Sequence, residues 1–304
     1  RTASGSPWRL DYHDVSDQIE YADFELLESS TIIKMIEKYQ PDEIYNLAAQ
    51  SFVKSSFEIP VYTGNSTALG VTRILEALRL MKNDARFYQA SSSEMYGKVL
   101  EIPQNEDTPF YPRSPYAVAK TYAHWMTVNY REAYGMHCCS GILFNHESPL
   151  RGSEFVTKKI TSTMAKIKLK QHDVLEVGNI YAKRDWGFAG DYVEAMYLML
   201  NHDVPDDFVI CTGETHTVKE FIEKTAAILD IEIAWEGENE NTVGIDVMTN
   251  KVIVKINKKF YRPTEVDILL GDPSKAMKIL GWKPKCSFDQ LIEDMVKADL
   301  EFIK

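Results

Sequence analysis

The feature that most constrains this chain is a regular exchange, over residues 19–145, of short apolar runs for amphipathic stretches several turns long. IEYADFEL is followed by SSTIIKMIEKYQ, then DEIYNLAA, then TGNSTALGVTRILEALRLMKN, then RFYQASSS. The order reads as strand, helix, strand, helix, strand, the pattern of a parallel sheet with crossover helices. The next helix is predicted over residues 113–134, where Ser114 can cap and Pro115 suits the first turn. HCCSGILFN then reads as another buried strand. The fold class is α/β, a doubly wound parallel sheet.

Beyond about residue 150 the texture changes. Acidic GENEN precedes two alternating runs, VGIDVM and KVIVKIN, joined at a turn-like TN, which predicts a β-hairpin around residues 243–257. Helices are expected near SKAMKIL and SFDQLIEDMVKADLEFI. Residues 1–150 are therefore expected to form one domain, to which some later segments return, and residues 151–304 mainly a smaller α/β part closing over it.

Composition narrows the function classes. With 304 residues and 44% hydrophobic content the chain can fill a substantial core. Lys and Arg number 34 against 45 Asp and Glu, a net charge of −11 without a basic run, so no nucleic-acid partner is expected. The four cysteines show no CxxC spacing, and adjacent Cys138 and Cys139 must face opposite sides of a strand, which suits reduced structural thiols. Seven histidines without HxH or HExxH spacing give no metal site, and no apolar run reaches membrane-span length. The chain opens RTASGSPWRL, without an initiator Met, which reads as a processed or incompletely recorded start.

In an open parallel sheet, ligands bind beyond the carboxyl ends of the strands. Here those ends are followed by LAAQS, SSSEMYG and NHESP, small or polar where a core would want bulk. Of sixteen tyrosines only Tyr116 has a Lys four residues later, Lys120. Chance supplies roughly one such pair in a chain of this composition, so a surface pair is the alternative. The hydroxyl-rich strand end Ser91-Ser92-Ser93-Glu94 lies one crossover earlier, where strand end and helix face can share a crevice. A tyrosine must lose about three pKa units to act as a base at neutral pH, roughly 4 kcal/mol of differential stabilisation. A neighbouring ammonium and a cationic nicotinamide are the usual means.

These residues, with YNLAAQSFVKSSFEIP, FYQASSSEMYGKV, TPFYPRSPYAVAKTYA, GILFNHESPLRG, AKRDWGFAGDYVEAM, FYRPTEVDILLGDPSKA and LGWKP, resemble the extended short-chain dehydrogenase/reductase family and, within it, the GDP-mannose 4,6-dehydratases. The resemblance runs from Trp8 to the C-terminus and implies a Rossmann-type fold with NADP as cofactor and GDP-mannose as substrate. It implies catalytic roles for Ser92, Glu94, Tyr116 and Lys120. Glu94 discriminates, because an epimerase or simple reductase has no need of a carboxylate there. Around NADP the resemblance places Glu25, Leu26, Leu47, Ala48, Ala49, Gln50, Ser51, Tyr62, Lys120, His146 and Arg151; around the nucleotide-sugar it places Asn145, Lys159, Arg184, Arg262 and Glu265. His146 taken singly reads as a hydrogen-bonded core histidine, and Arg184 or Arg262 as a salt-bridged surface residue. The resemblance further implies a cytoplasmic homodimer or homotetramer.

The sequence departs from the family's pattern in places. No GxxGxxG occurs, so the first βαβ element, with its pyrophosphate-cradling turn, is absent from this sequence. Ser92 stands where the family usually has Thr, Glu25 for an Asp, Leu150 for the first Arg of a pair and Phe188 for a His. Two other readings stay open: an epimerase or reductase of the same fold, and a non-catalytic nucleotide-sugar-binding protein.

Overall fold

The computed structural model describes residues 8–261, 264, 266 and 268–303. A short helix α1 (Trp8–Tyr12) leads through irregular chain to α2 (Ser29–Tyr39), and β1 (Glu43–Asn46) follows. Helices α3 (Val53–Glu58) and α4 (Pro60–Thr63) come next, and α4 continues through a π-turn at Gly64–Ala68 into α5 (Leu69–Met81). Then come β2 (Arg86–Ser92), α6 (Pro115–Tyr134), β3 (Cys138–Leu143) and β4 (Asn145–Glu147). The second half holds α7 (Val156–Lys168), β5 (Leu175–Val177), β6 (Lys183–Arg184), β7 (Trp186–Phe188), α8 (Ala189–Leu200), β8 (Asp207–Ile210) and β9 (His216–Thr217). It ends with α9 (Val218–Ile228), β10 (Ile233–Glu236), β11 (Val243–Asp246), β12 (Lys251–Ile256), α10 (Ser274–Leu280) and α11 (Phe288–Ile303).

The central sheet has the order β1-β2-β3-β8, all parallel, so the carboxyl ends of its strands open on one edge. Alternation along each strand sends side chains to opposite faces. Phe87 and Cys138 join the layer of α2, α5 and α6; Tyr88 and Cys139 join α8 and α10 on the other face. Helices therefore cover both faces, the Rossmann-type arrangement the pattern predicts. A second core, built from α7, α9, α11, β5 and Trp186, sits beneath the sheet order β10-β11-β12-β5. The hairpin is formed by β11 and β12, and Asn250 closes it in the left-handed region at φ 54°.

One expected strand is not formed. Residues 19–25 make no ladder and are largely exposed, and only Leu26 enters the core. A strand exists by pairing, and no described residue pairs with the outer edge of β1.

All four cysteines are free thiols; Cys138, Cys139 and Cys211 are buried and Cys286 is partly exposed. Burial pushes Cys138 up to about 12 and Cys286 up to about 11, and raises Cys139 and Cys211 as well. Native protein treated with an aromatic disulfide reagent is expected to release at most one equivalent quickly, lost in Cys286→Ser, with three more appearing only on unfolding.

Candidate active site

One face of α6 is stitched to the carboxyl end of β2. Tyr116, Lys120 and His124 stand at i, i+4 and i+8, and each meets a different residue of the strand end. Tyr116 and Ser92 share a hydrogen bond through their hydroxyls. Lys120 Nζ donates to the Ala90 carbonyl at 2.7 Å, and Ser91 Oγ lies 3.3 Å from His124 Nδ1. The helix begins where its sequence says it must: Ser114 Oγ accepts from the Ala117 amide at 3.0 Å, with Pro115 in the first turn. Tyr116 is thereby fixed in the opening turn, at the mouth of the sheet.

Glu94 rides on a single 3₁₀ turn, Ser93–Met95, capped by Ser92 Oγ, which accepts the Glu94 amide at 3.3 Å. This turn is tied to the chain entering α6 by bonds from Lys98 N to Tyr111 O, 2.9 Å, and from Tyr111 N to Met95 O, 3.1 Å. Gly97 makes that approach possible. Its φ is +51°, and a Cβ there would lie 2.0 Å from the Tyr111 carbonyl oxygen. Ser92, Glu94, Tyr116 and Lys120 are thus brought into one crevice.

Electrostatics there differ from the simple expectation. Burial pushes the Tyr116 phenol up to about 12; the Ser92 hydrogen bond and the Arg151 charge oppose this, while Glu94 adds to it. Lys120 makes no hydrogen bond to the phenol: its Nζ is 5.8 Å from the Tyr116 ring centre and donates to Ala90 instead. Burial lowers Lys120 itself to about 8. The protein's own groups therefore hold Tyr116 as a neutral phenol.

Among the expected cofactor residues, Leu47, Ala48, Ala49, Gln50 and Ser51 form the loop after β1. Gln50 anchors it, its amide donating to Thr67 Oγ1 at 3.0 Å and its side-chain oxygen accepting from Thr63, so the π-turn helix holds the loop. Tyr62 is exposed on α4, and Glu25 lies just before Leu26, whose side chain packs into the core against α5 and leaves only its backbone for a ligand. His146 on β4 bonds the Phe144 carbonyl through Nδ1 at 2.9 Å, and burial lowers it to about 4, so it is neutral. Arg151 pairs with buried Glu147 at 3.1 Å, and Glu147 also accepts from Thr157 at 2.6 Å.

Of the expected substrate residues, Asn145 starts β4, opposite Trp186 of β7. Arg184 is buried on β6, opposite His216 of β9. Lys159 of α7 lies 3.2 Å from the Phe260 ring centre; burial first, then Lys259 and Lys54, lower it to about 8 against the pull of Glu176. Arg262 and Glu265 lie outside the described residues.

Two contributors escaped the sequence reading. His124 has no partner within the motif and is visible only as the third member of an i, i+4, i+8 row. Asp185, between Arg184 and Trp186, is fully buried and accepts from Thr212 N, Thr212 Oγ1 and Gly213 N at 2.9, 2.7 and 3.1 Å. It pins the loop after β8 beside Arg184, and burial pushes its carboxyl up to about 6. Its only signal is an acid wedged between Arg184 and Trp186.

Residues 2–295 match the sequence model of the family described as GDP-mannose 4,6 dehydratase. The chain is 57% identical over 288 residues to GDP-mannose 4,6 dehydratase of Dictyostelium discoideum, covering 94% of this chain and 80% of that one. It is 53% identical over 289 residues to the Homo sapiens protein of that name, covering 94% and 77%. Among solved structures, RMD from Pseudomonas aeruginosa complexed with NADPH superposes with a TM-score of 0.80 at 22% identity, covering 99% of this chain and 98% of that one. The dTDP-glucose 4,6-dehydratase of Bacillus anthracis in complex with NAD superposes at 0.76 and 19% identity, covering 95% and 83%. At those identities the likeness to the solved structures is one of fold.

Replacing the buried ammonium should reveal its cost. Lys120→Met is expected to stabilise nucleotide-stripped protein at neutral pH by up to about 3 kcal/mol while removing activity. The folded pKa lies below the unfolded one, so the penalty is complete below about pH 8 and fades as pH rises toward the unfolded value. Thermal unfolding of both proteins across that range checks this: the gap in Tm must close with rising pH.

Proposed function

The chain belongs to the GDP-mannose 4,6-dehydratase family, and we propose that Ser92, Glu94, Tyr116 and Lys120 carry that family's reaction here. The reaction is the NADP-dependent conversion of GDP-mannose to GDP-4-keto-6-deoxymannose, and the enzyme is a hydro-lyase. The observation that supports this assignment best is the meeting of a carboxylate, a serine hydroxyl and a buried Tyr–Lys pair at one strand end.

The residues present fit the dinucleotide. Lys120 uses one of its three N–H donors on Ala90, which leaves two for ligand hydroxyls. The Leu47–Ser51 loop offers small side chains, and the amides of Ala48, Ala49 and Ser51 bond no described residue. His146 and Arg151 flank the same edge. Bound NADP supplies the acceptor that takes hydride from C4 of the mannosyl group and returns it to C6, so the reaction is redox-neutral overall.

The chain's own groups manage the protons. Tyr116, as tyrosinate, takes the O4 proton as C4 becomes a ketone, and Ser92 holds that oxygen. The ketone acidifies the C5 proton, which Glu94 removes; the C6 hydroxyl leaves as water with one of the two protons so collected, and the other returns to C5 as hydride reaches C6. Asn145, Lys159, Arg184, Arg262 and Glu265 are assigned to the nucleotide-sugar, and Glu25, Leu26, Leu47–Ser51, Tyr62, Lys120, His146 and Arg151 to NADP. In this reading residues 1–150, joined by later segments such as β8, hold the cofactor, and residues 151–304 mainly hold the nucleotide-sugar.

We also assign a homo-oligomeric state, dimer or tetramer. Val118, Tyr122 and Trp125 form an exposed stripe on α6, and Tyr122 bonds Thr72 of α5 at 3.0 Å, so the two helices present one continuous face. No helix among the described residues is long and apolar enough to cross a membrane. The cytoplasm is assigned as the location on the family resemblance alone.

Incubation with GDP-mannose and no added reductant is expected to yield a product lighter by one water, with no net NADPH. Tyr116→Phe should lower kcat at least ~100-fold. Glu94→Gln should stop at the C4 ketone and accumulate reduced nicotinamide, seen by its absorbance; full net turnover by that variant would defeat the elimination role. For the assembly, Trp125→Glu should reduce the mass measured by light scattering to that of a smaller species.

A further inference from the structure

Three lysines from distant parts of the chain converge beside Phe260. Lys159 Nζ lies 3.2 Å from the ring centre and Lys259 Nζ 4.8 Å from it. Lys54, on α3 directly after the loop that follows β1, donates to the Lys259 carbonyl at 2.5 Å across 205 residues of sequence. The approach is built in. The Asn257 amide donates to the Val177 carbonyl at 2.8 Å, and a Cβ on Gly178 would stand 3.0 Å from the Phe260 carbonyl oxygen, so residues 258–260 lie close along the end of β5. Among the described residues one carboxylate, Glu176, answers the three charges, pairing with Lys259 at 2.7 Å. Neighbouring Lys258 and Lys158 have acids of their own, Glu240 and Asp299. A local excess of positive charge thus persists in a chain whose net charge is −11.

We propose that Lys54 and Lys259 join Lys159 in a cradle for the diphosphate of the nucleotide-sugar, with Lys54 reaching from the cofactor side of the cleft and the other two from the opposite side. The proposal rests on the substrate reading above and adds two residues to it. A diphosphate there neutralises the excess and clasps the two sides together, because its contacts come from both.

The test uses full-length protein and GDP as probe, with GMP and NADP+ measured in parallel by calorimetry. Lys54→Met and Lys259→Met are each expected to weaken GDP binding roughly tenfold, to narrow the gap between GDP and GMP, and to flatten the salt dependence. Lys54→Arg should restore most of the GDP affinity, which a merely structural loss would not allow. Undiminished GDP affinity in both Met variants overturns the cradle alone. Loss of NADP+ affinity with GDP affinity retained overturns its assignment to the substrate. Absence of GDP binding by the wild type overturns both the cradle and the reading beneath it.

Discussion

The contact on which the candidate active site most depends is the buried ammonium of Lys120 against one backbone carbonyl. Burying a cation with a single acceptor is unfavourable, and nothing in the packing of α6 on the sheet requires it. A methionine would fill the space. The ammonium fixes the height of α6 along β2, so that Tyr116 reaches Ser92 one turn before it and His124 reaches Ser91 one turn after. Slide the helix by one residue and all three partners are lost together.

Much of this was legible in the sequence because its signals are local. Ser114 and Pro115 mark the start of α6 in the chain itself, and the four-residue spacing of Tyr116 and Lys120 becomes a shared face once the segment is helical. Adjacent Cys138 and Cys139 were bound to part, and they do, one into each layer. IEYADFEL misled because strand character lies in a partner, not in the strand's own residues. His124 was invisible because a lone histidine carries no spacing until its neighbours are known. Lys54 and Lys259 lay further from reach, since 205 residues of intervening chain hide a contact made only by the finished fold.

Charge distribution resolves an apparent mismatch between an acidic protein and an anionic substrate. A net charge of −11 repels anions at long range, but solution ions screen that repulsion within roughly 8–10 Å. In the proposed cradle the local set decides, and it is weighted toward cations. Among the described residues Lys54, Lys159 and Lys259 face one acid, Glu176, and Arg184 adjoins Asp185, which accepts from Thr212 and Gly213.

The raised pKa of Tyr116 follows from the same economy of charge. Burial makes the phenolate unfavourable, and the opposing influences, Ser92 and Arg151, leave the phenol near 12. Activating it at neutral pH takes about five units, roughly 7 kcal/mol, more than one further hydrogen bond supplies. A positive charge must therefore arrive close to the ring, and the cationic form of the nicotinamide is such a charge. If Tyr116 is the base, as proposed, proton abstraction is tied to the oxidised cofactor's presence, and Glu94, whose charge disfavours the phenolate, adds to the threshold. On the proposed reading, such a site withholds its base until hydride has somewhere to go.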